Sequence, residues 1–338
     1  MPLSERKQKI LSIITEAYIR TGEPVGSKTI ADQFDMALSS ATIRNEMADL
    51  EKLGLLTHPH TSAGRIPSAK GFRVYVDNIM RVQPLDQKYR QYIDSLFDSP
   101  DSDPTSIIEK AGAVLAELTK CVSVMTTPAS QDSTVARIDM LPVGGSLWAV
   151  VLTADQGSIK SAACRVSMNE QTADAVRALV NDRFRGKKLS DITTAFIQTQ
   201  AAGMGEYVLS VTPILCTLQK LAHEMSTNKL VLEGQKNLLT YGGIVISPYD
   251  IMKFLSRKNE LKTLLTSSSA VNVLIGDESQ IEEMSELSAV SAAYMAGDSL
   301  MGSIGIVGPM RMDYAAAVAH IEYFSSLLGK ILLKEFGL

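Results

Sequence analysis

Between residues 38 and 57 the apolar positions recur at helical spacing. Counted at 100° per residue from a cap at Ser39 or Ser40, Ile43, Met47, Leu50 and Leu53 share one face, and Gly54 ends the helix. Ala41, Asn45, Ala48 and Lys52 point the other way, with Thr42 and Arg44 at the flanks. Upstream, Ile10, Ile14 and Ala17, widened by Leu11, Ile13 and Tyr18, predict a helix from Ser4 to about Arg20. TGEP breaks it, and Ser27 is placed to cap a short second helix through Phe34. Helix, short helix, turn, helix is a helix-turn-helix order. Downstream, residues 55–58 and 65–67 read as two short strands joined by PHTSAG, a wing, after which Ser68 caps a fourth helix carrying Phe72, Val76 and Ile79 with Tyr75 beside them. Its aromatic face predicts packing on the winged domain or on a second copy.

The rest of the chain changes period twice. Residues 86–97 predict a connecting helix, and DSPDSDPTS (98–106) reads as a linker, with Asp103 and Pro104 as cap and first turn of the next helix. Ile107, Ile108, Ala111, Val114, Leu115 and Leu118 form its core stripe. Three strands follow at 135–141, 147–153 and 158–166, separated by the turns Gly144-Gly145 and Asp155-Gln156-Gly157, and they predict an antiparallel meander with the middle strand buried. Residues 167–261 turn helical, including 171–184 and 207–225. Residues 271–276 and 303–308 return to strand character, and a helix through Phe324, Leu328 and Ile331 closes the chain. Strands, a helical block, then more strands predict an α+β multidomain protein in which one domain is interrupted by an insertion. The expected divisions are 1–83 for the winged helix, 84–104 for the connecting helix and linker, 105–166 with 262–338 for the α+β domain, and 167–261 for the insert.

With 338 residues, 45% of them hydrophobic, the chain builds real cores, which excludes a disordered or fibrous protein. A net charge of −4 argues against nucleic acid until it is divided along the chain. Residues 1–83 carry 11 basic and 9 acidic side chains, and the remainder 22 and 28. From residue 57 to 81 there are four basic residues (Arg65, Lys70, Arg73, Arg81), His58 and His60, and one acid, Asp77, so a local basic patch outweighs the overall balance. Cys121, Cys164 and Cys216 are odd in number and lack metal spacing, which speaks against a disulfide framework or zinc site and for a reducing cytoplasm. MPLSERKQKI has no signal-like apolar core, and the longest apolar stretch, 141–154, is interrupted by Pro142, glycines and Ser146, so no membrane association is expected.

On the helix at 40–52 the exposed first half is small and polar. An arginine there can donate a bidentate pair to guanine and an asparagine can pair with adenine, each worth about 1–3 kcal/mol of discrimination, while alanine permits close approach. Glu46, Asp49 and Glu51 sit in the later half, which keeps negative charge away from phosphates. An ordinary amphipathic surface helix would share this pattern, and the helix-turn-helix order and basic wing favour DNA. We therefore expect Ala41, Thr42, Arg44 and Asn45 to read bases and Ser40, His60, Arg65 and Lys70 to position the DNA backbone. Catalytic chemistry is not expected. Gly302, Gly305 and Gly308 recur every third residue rather than as a dinucleotide fingerprint and read as close strand packing, and His223 and His320 sit in no nucleophile or metal signature. No cofactor and no metal are implied.

Three blocks, GEPVGSKTIA, SSATIRNEMADLEKLGLL and HPHTSAGRIPSAKGFRVYVD, together resemble the HrcA family of bacterial heat-inducible transcription repressors. IGDES and GSIGIVGPMRMDY look like later motifs of that family, so the resemblance covers essentially the whole chain. It implies a GAF-like domain interrupted by an inserted dimerisation domain. It further implies a homodimer on an inverted-repeat operator, the CIRCE element, upstream of heat-shock chaperone genes, and a GroEL-type chaperonin that helps the repressor reach or keep its active fold. A metabolite-sensing winged-helix regulator with a GAF-like ligand pocket is the alternative.

Overall fold

The computed structural model describes residues 3–33, 39–59, 64–98, 104–128, 133–155, 157–203, 205, 208–241 and 246–336. His60, the wing-loop residues 61–63, the expected helix end at Phe34 and the expected cap Asp103 lie outside them.

Ser4 opens α1 (Glu5–Thr21) by accepting the Lys7 amide hydrogen on its hydroxyl. α2 (Ser27–Asp32) follows, capped by Gly26 rather than Ser27, whose side chain is committed elsewhere. α3 (Ser40–Lys52) starts at Ser39, whose Oγ accepts from the Thr42 amide at 3.1 Å, and stops where Gly54 adopts φ +73°, a left-handed conformation open to glycine at little cost. Ile10, Leu11 and Ile14 of α1 meet Ile30 of α2 and Ile43, Met47 and Leu50 of α3 in one core. Leu53, expected on that face, is instead exposed: it is the C-cap of α3, and Leu55 and Leu56 carry the same core on beyond Leu50. The wing strands are short: β1 (Leu56–Thr57) pairs antiparallel with β2 (Ile66–Pro67), and the backbone of Val25 bridges Arg65 as a third element. α4 (Ala69–Asn78) is capped by the Ser68 hydroxyl, and Phe72 and Tyr75, not Val76, are its buried side chains. Gly71 lies directly against the Leu55 carbonyl, where any Cβ would collide with backbone.

This winged helix belongs to one compact unit, Met1–Thr126 with Leu230–Glu335. α5 (Gln87–Ser95) and α6 (Pro104–Thr119) lead into β3 (Val122–Thr126), one strand of a five-stranded antiparallel sheet ordered β7-β3-β10-β9-β8. The others are β7 (Leu230–Glu233), β8 (Asn272–Ile275), β9 (Leu287–Ala296) and β10 (Ser299–Pro309). Helices α10 (Gln235–Thr240), α11 (Pro248–Ser256) and α12 (Lys258–Thr263) cover one face, packing Phe254, Leu255 and Leu261 on Val122, Val124, Ala289 and Val307. The other face carries α6, whose Gly112 lies against Met125 and Ser123, and α13 (Tyr314–Phe336), whose Tyr314 hydroxyl bonds to that of Ser288. Covered on both sides, β9 is buried almost without alternation, and the glycines of β10 sit against Tyr294, Ser291 and Cys121. α13 is, among the described residues, the helix long and apolar enough to cross a membrane, yet half of that stretch is buried, including Ile321, Phe324, Leu328 and Leu332. Leu332 thus takes the place expected for Ile331.

The second unit spans residues 127–229. Its sheet is the expected meander, β4 (Val135–Gly144), β5 (Leu147–Ala154) and β6 (Ile159–Arg165), with β5 in the middle. β5 alternates strictly, so Trp148, Val150 and Leu152 face α7 (Glu170–Phe184) and α9 (Val208–Ser226), while α8 (Thr194–Ala202) packs beside α9. Asn181 of α7 brackets the Ile138 backbone, accepting its N–H at 2.9 Å and donating to its carbonyl at 2.7 Å. These contacts divide the chain differently from the expected 105–166 with 262–338 and 167–261. The meander goes with the helices that cover its single buried face, and residues 230–261 go with the five-stranded sheet, whose exposed apolar face they close.

Candidate nucleic-acid interface

α3 presents its first turn to solvent because its buried stripe begins only at Ile43. Ser40, Ala41, Arg44 and Asn45 are exposed, and Thr42 is half-buried with its hydroxyl 2.9 Å from that of Ser39. Arg44 donates its Nε–H to the Ser27 hydroxyl at 3.2 Å, and its two terminal nitrogens have no partner among the described residues. Asn45 likewise makes no side-chain hydrogen bond among the described residues, so its amide and the Arg44 terminal nitrogens are the donors left open there. A DNA base edge is the kind of ligand that uses such a pair.

The acids of α3 are each committed internally. Glu46, 7% exposed, pairs with Lys7 at 2.6 Å and with Arg6, and Asp49 accepts from Lys7 at 3.1 Å. The Lys7 hydrogen bond, reinforced by the charges of Lys7 and Arg6, holds the Glu46 carboxyl below the ordinary carboxylate range, and Asp49 is held low by the same lysine. Lys7 is raised in turn, chiefly by Glu46 and then Asp49. These residues pin α3 to α1 at its inward edge, leaving the exposed turn without an acid. Ser27 and Glu46 were not legible as site residues, since a serine beside a glycine cap and an acid within an amphipathic helix carry no distinctive spacing.

Behind the helix, Lys70 is exposed and donates to the Leu53 carbonyl at 3.0 Å, capping the negative end of α3 with a cation. Arg65 does not stand free at the wing. Its backbone pairs with Val25, and its guanidinium, 21% exposed, pairs with Glu51 at 2.9 Å. The structure thus brings Ser40, Ala41, Thr42, Arg44 and Asn45 onto one helical turn and sets Arg65 and Lys70 apart, each already bonded within the domain.

A winged helix with a free polar turn is shared by many regulators, and the comparisons narrow it. The family profile described as "Winged helix-turn-helix transcription repressor, HrcA DNA-binding" matches residues 2–78, and "HrcA protein C terminal domain" matches residues 105–318. The chain is 34% identical to the heat-inducible transcription repressor HrcA of Acetivibrio thermocellus, covering 100% of this chain and 98% of that protein. It is 33% identical to that of Halalkalibacterium halodurans (98% of each) and 34% identical to that of Clostridium perfringens strain 13 (94% and 95%). A crystal structure of a hypothetical protein at 2.2 Å resolution shares the fold, with a TM-score of 0.71 and 24% identity over 99% of this chain and 100% of that one. Two profiles covering most of the chain and identity above 30% along its whole length show that this protein belongs to the HrcA family of heat-inducible transcription repressors.

Proposed function

We propose that this repressor binds an inverted-repeat operator of the CIRCE type upstream of chaperone genes as a homodimer, with Ala41, Thr42, Arg44 and Asn45 reading bases and Ser40, Arg65 and Lys70 positioning the backbone. The observation that carries this reading is the exposed first turn of α3, where Asn45 and the terminal nitrogens of Arg44 keep unused donors among the described residues and Glu46, the acid next to them on the helix, is buried and paired with Lys7. Two copies related by a two-fold axis read a palindrome, so operator symmetry follows from protein symmetry. His60 is carried forward from the sequence as a backbone contact. The sheet covered on both faces supports a GAF-like reading of residues 104–126 with 230–336. The separate unit at 127–229 supports a dimerisation role for the insert. We place the protein in the cytoplasm, where its operator is. A selection of bound sequences from random DNA by the purified protein tests the proposal: recovery of one inverted repeat supports it, and absence of enrichment overturns it. Modulation by a GroEL-type chaperonin is part of the same proposal. Adding chaperonin should raise the fraction of protein competent for operator binding, and a preparation indifferent to it counts against that step.

One observation favours the second reading, a metabolite sensor. A cavity of 540 Å³ lies among α1, α4, α6 and α13, lined by Arg20, Lys120, Tyr241, Arg311 and His320 among others. Ile306 of β10 also lines it, and Tyr241 is the residue that ends α10. A thermal-shift screen of charged metabolites decides: a ligand at 100 times its Kd adds about 2.7 kcal/mol of stability, and no saturable shift removes this reading.

A further inference from the structure

The DNA interface leaves two sequence motifs unused, the FRVYVD stretch of α4 and IGDES at the end of β8, and in the fold they meet. Arg73 of the first donates from Nε to Glu278 Oε1 at 2.9 Å and from Nη2 to the other carboxylate oxygen, a bidentate pair. The same Nη2 donates to the Val273 carbonyl at 2.6 Å, and Nη1 to Asp77 at 3.1 Å. Glu278 is itself fixed, because its carboxylate accepts the Ile275 N–H at 2.9 Å in the tight turn Gly276–Ser279. One residue away, the Phe72 ring lies 5.7 Å from that of Tyr314, whose hydroxyl is held by Ser288.

α4 is equally tied to the recognition helix. Ser68 donates to the Gly54 carbonyl at 2.6 Å, Lys70 to that of Leu53, and Gly71 abuts Leu55. From Glu278 to the end of α3 there are thus two steps, both through directional bonds. A bidentate guanidinium–carboxylate pair fixes orientation as well as distance, which a point charge on a flexible stem does not.

We propose that Arg73 and Glu278 are positioning residues that set the angle at which each protomer presents α3, and thereby the half-site spacing the dimer accepts. This rests on the dimeric, inverted-repeat reading above. Centre-to-centre separation of two recognition helices is what fixes operator spacing, so loosening their mounts broadens the accepted spacings without changing the bases read.

The test measures affinity of the full-length protein for a single half-site and for inverted repeats whose spacer is lengthened or shortened by one or two base pairs. The parent should favour one spacer by about tenfold or more over its neighbours. Arg73→Ala and Glu278→Gln should bring the spacers within about threefold of one another while keeping half-site affinity within about twofold, and Arg73→Lys, which keeps the charge but loses the fork, should flatten the profile nearly as far. If Arg73→Ala does not fold, Glu278→Gln and Arg73→Lys carry the comparison. A variant that keeps the parental spacer profile, or that loses half-site and full-site affinity in parallel, overturns the proposal. Failure of the underlying reading has a different signature: the parent itself would bind a single half-site as tightly as any repeat.

Discussion

Arg44 of α3 is braced by Ser27, the first residue of the preceding helix, through one hydrogen bond of 3.2 Å. The bond uses Nε, and the terminal nitrogens have no partner among the described residues. Replacing Arg44 by alanine should weaken operator binding by about 1–3 kcal/mol and relax base preference at one position of each half-site. Ser27→Ala removes only the brace and should cost less, about 0.5–1.5 kcal/mol, with the same base still preferred. Fluorescence anisotropy against operators substituted one base at a time separates the two, and a parental profile for Arg44→Ala would remove its base-reading role.

The pair of buried Glu46 and partly exposed Lys7 should govern how the winged helix responds to pH. Glu46 is held below its usual value of 4.5 by the Lys7 hydrogen bond first, so its contribution is present above that value and is lost as pH falls through the lower folded value. Lys7 is raised above 10.5, so its contribution is present below that and is lost as pH climbs through the raised value. Glu46→Gln should lower Tm at neutral pH, equivalent to about 1–2 kcal/mol for charge-assisted bonds to a partly solvated lysine, and should flatten the acid limb of the stability curve. Thermal melts of parent and variant from pH 3 to pH 7 would converge toward the acid end; curves that stay parallel would refute the assignment.

Because Glu51 holds Arg65 in the free protein, a phosphate must compete for that guanidinium. Arg65→Ala should reduce the slope of log affinity against log salt by about one unit and leave base preference unchanged. Glu51→Gln should act in the opposite direction, strengthening binding to operator and random DNA alike. Were Glu51→Gln without effect at low salt, Arg65 would not be a phosphate contact.

Gly71 touches the Leu55 carbonyl so closely that a methyl group has no room, and the obstacle is backbone rather than a movable side chain. Gly71→Ala should therefore cost about 1–3 kcal/mol, despite the better helix propensity of alanine, by pushing α4 off the wing. A denaturant titration that finds the variant equal to or more stable than the parent would contradict this packing.

Local pattern carried the winged-helix domain. The stripes of α1 and α3, the Ser39 and Ser68 caps, the Gly54 stop and the paired wing strands all depend on interactions within a few residues, and α3's exposed face follows from the same counting. Tertiary structure decided what those exposed groups are free to do. It placed Ser27 under Arg44, Glu46 under Lys7 and Glu51 beside Arg65, pairs separated by 17, 39 and 14 residues that no periodicity links. The same limit explains why the contacts divide the chain differently from the expected insert at 167–261. β9 is an alanine- and serine-rich segment buried on both faces, so it shows neither alternation nor high strand propensity, and β3 and β7 are too short to stand out. Only when they assemble with β10 does the five-stranded sheet exist, and its open apolar face then claims the helices at 235–263 that their own sequence could have lent to either unit.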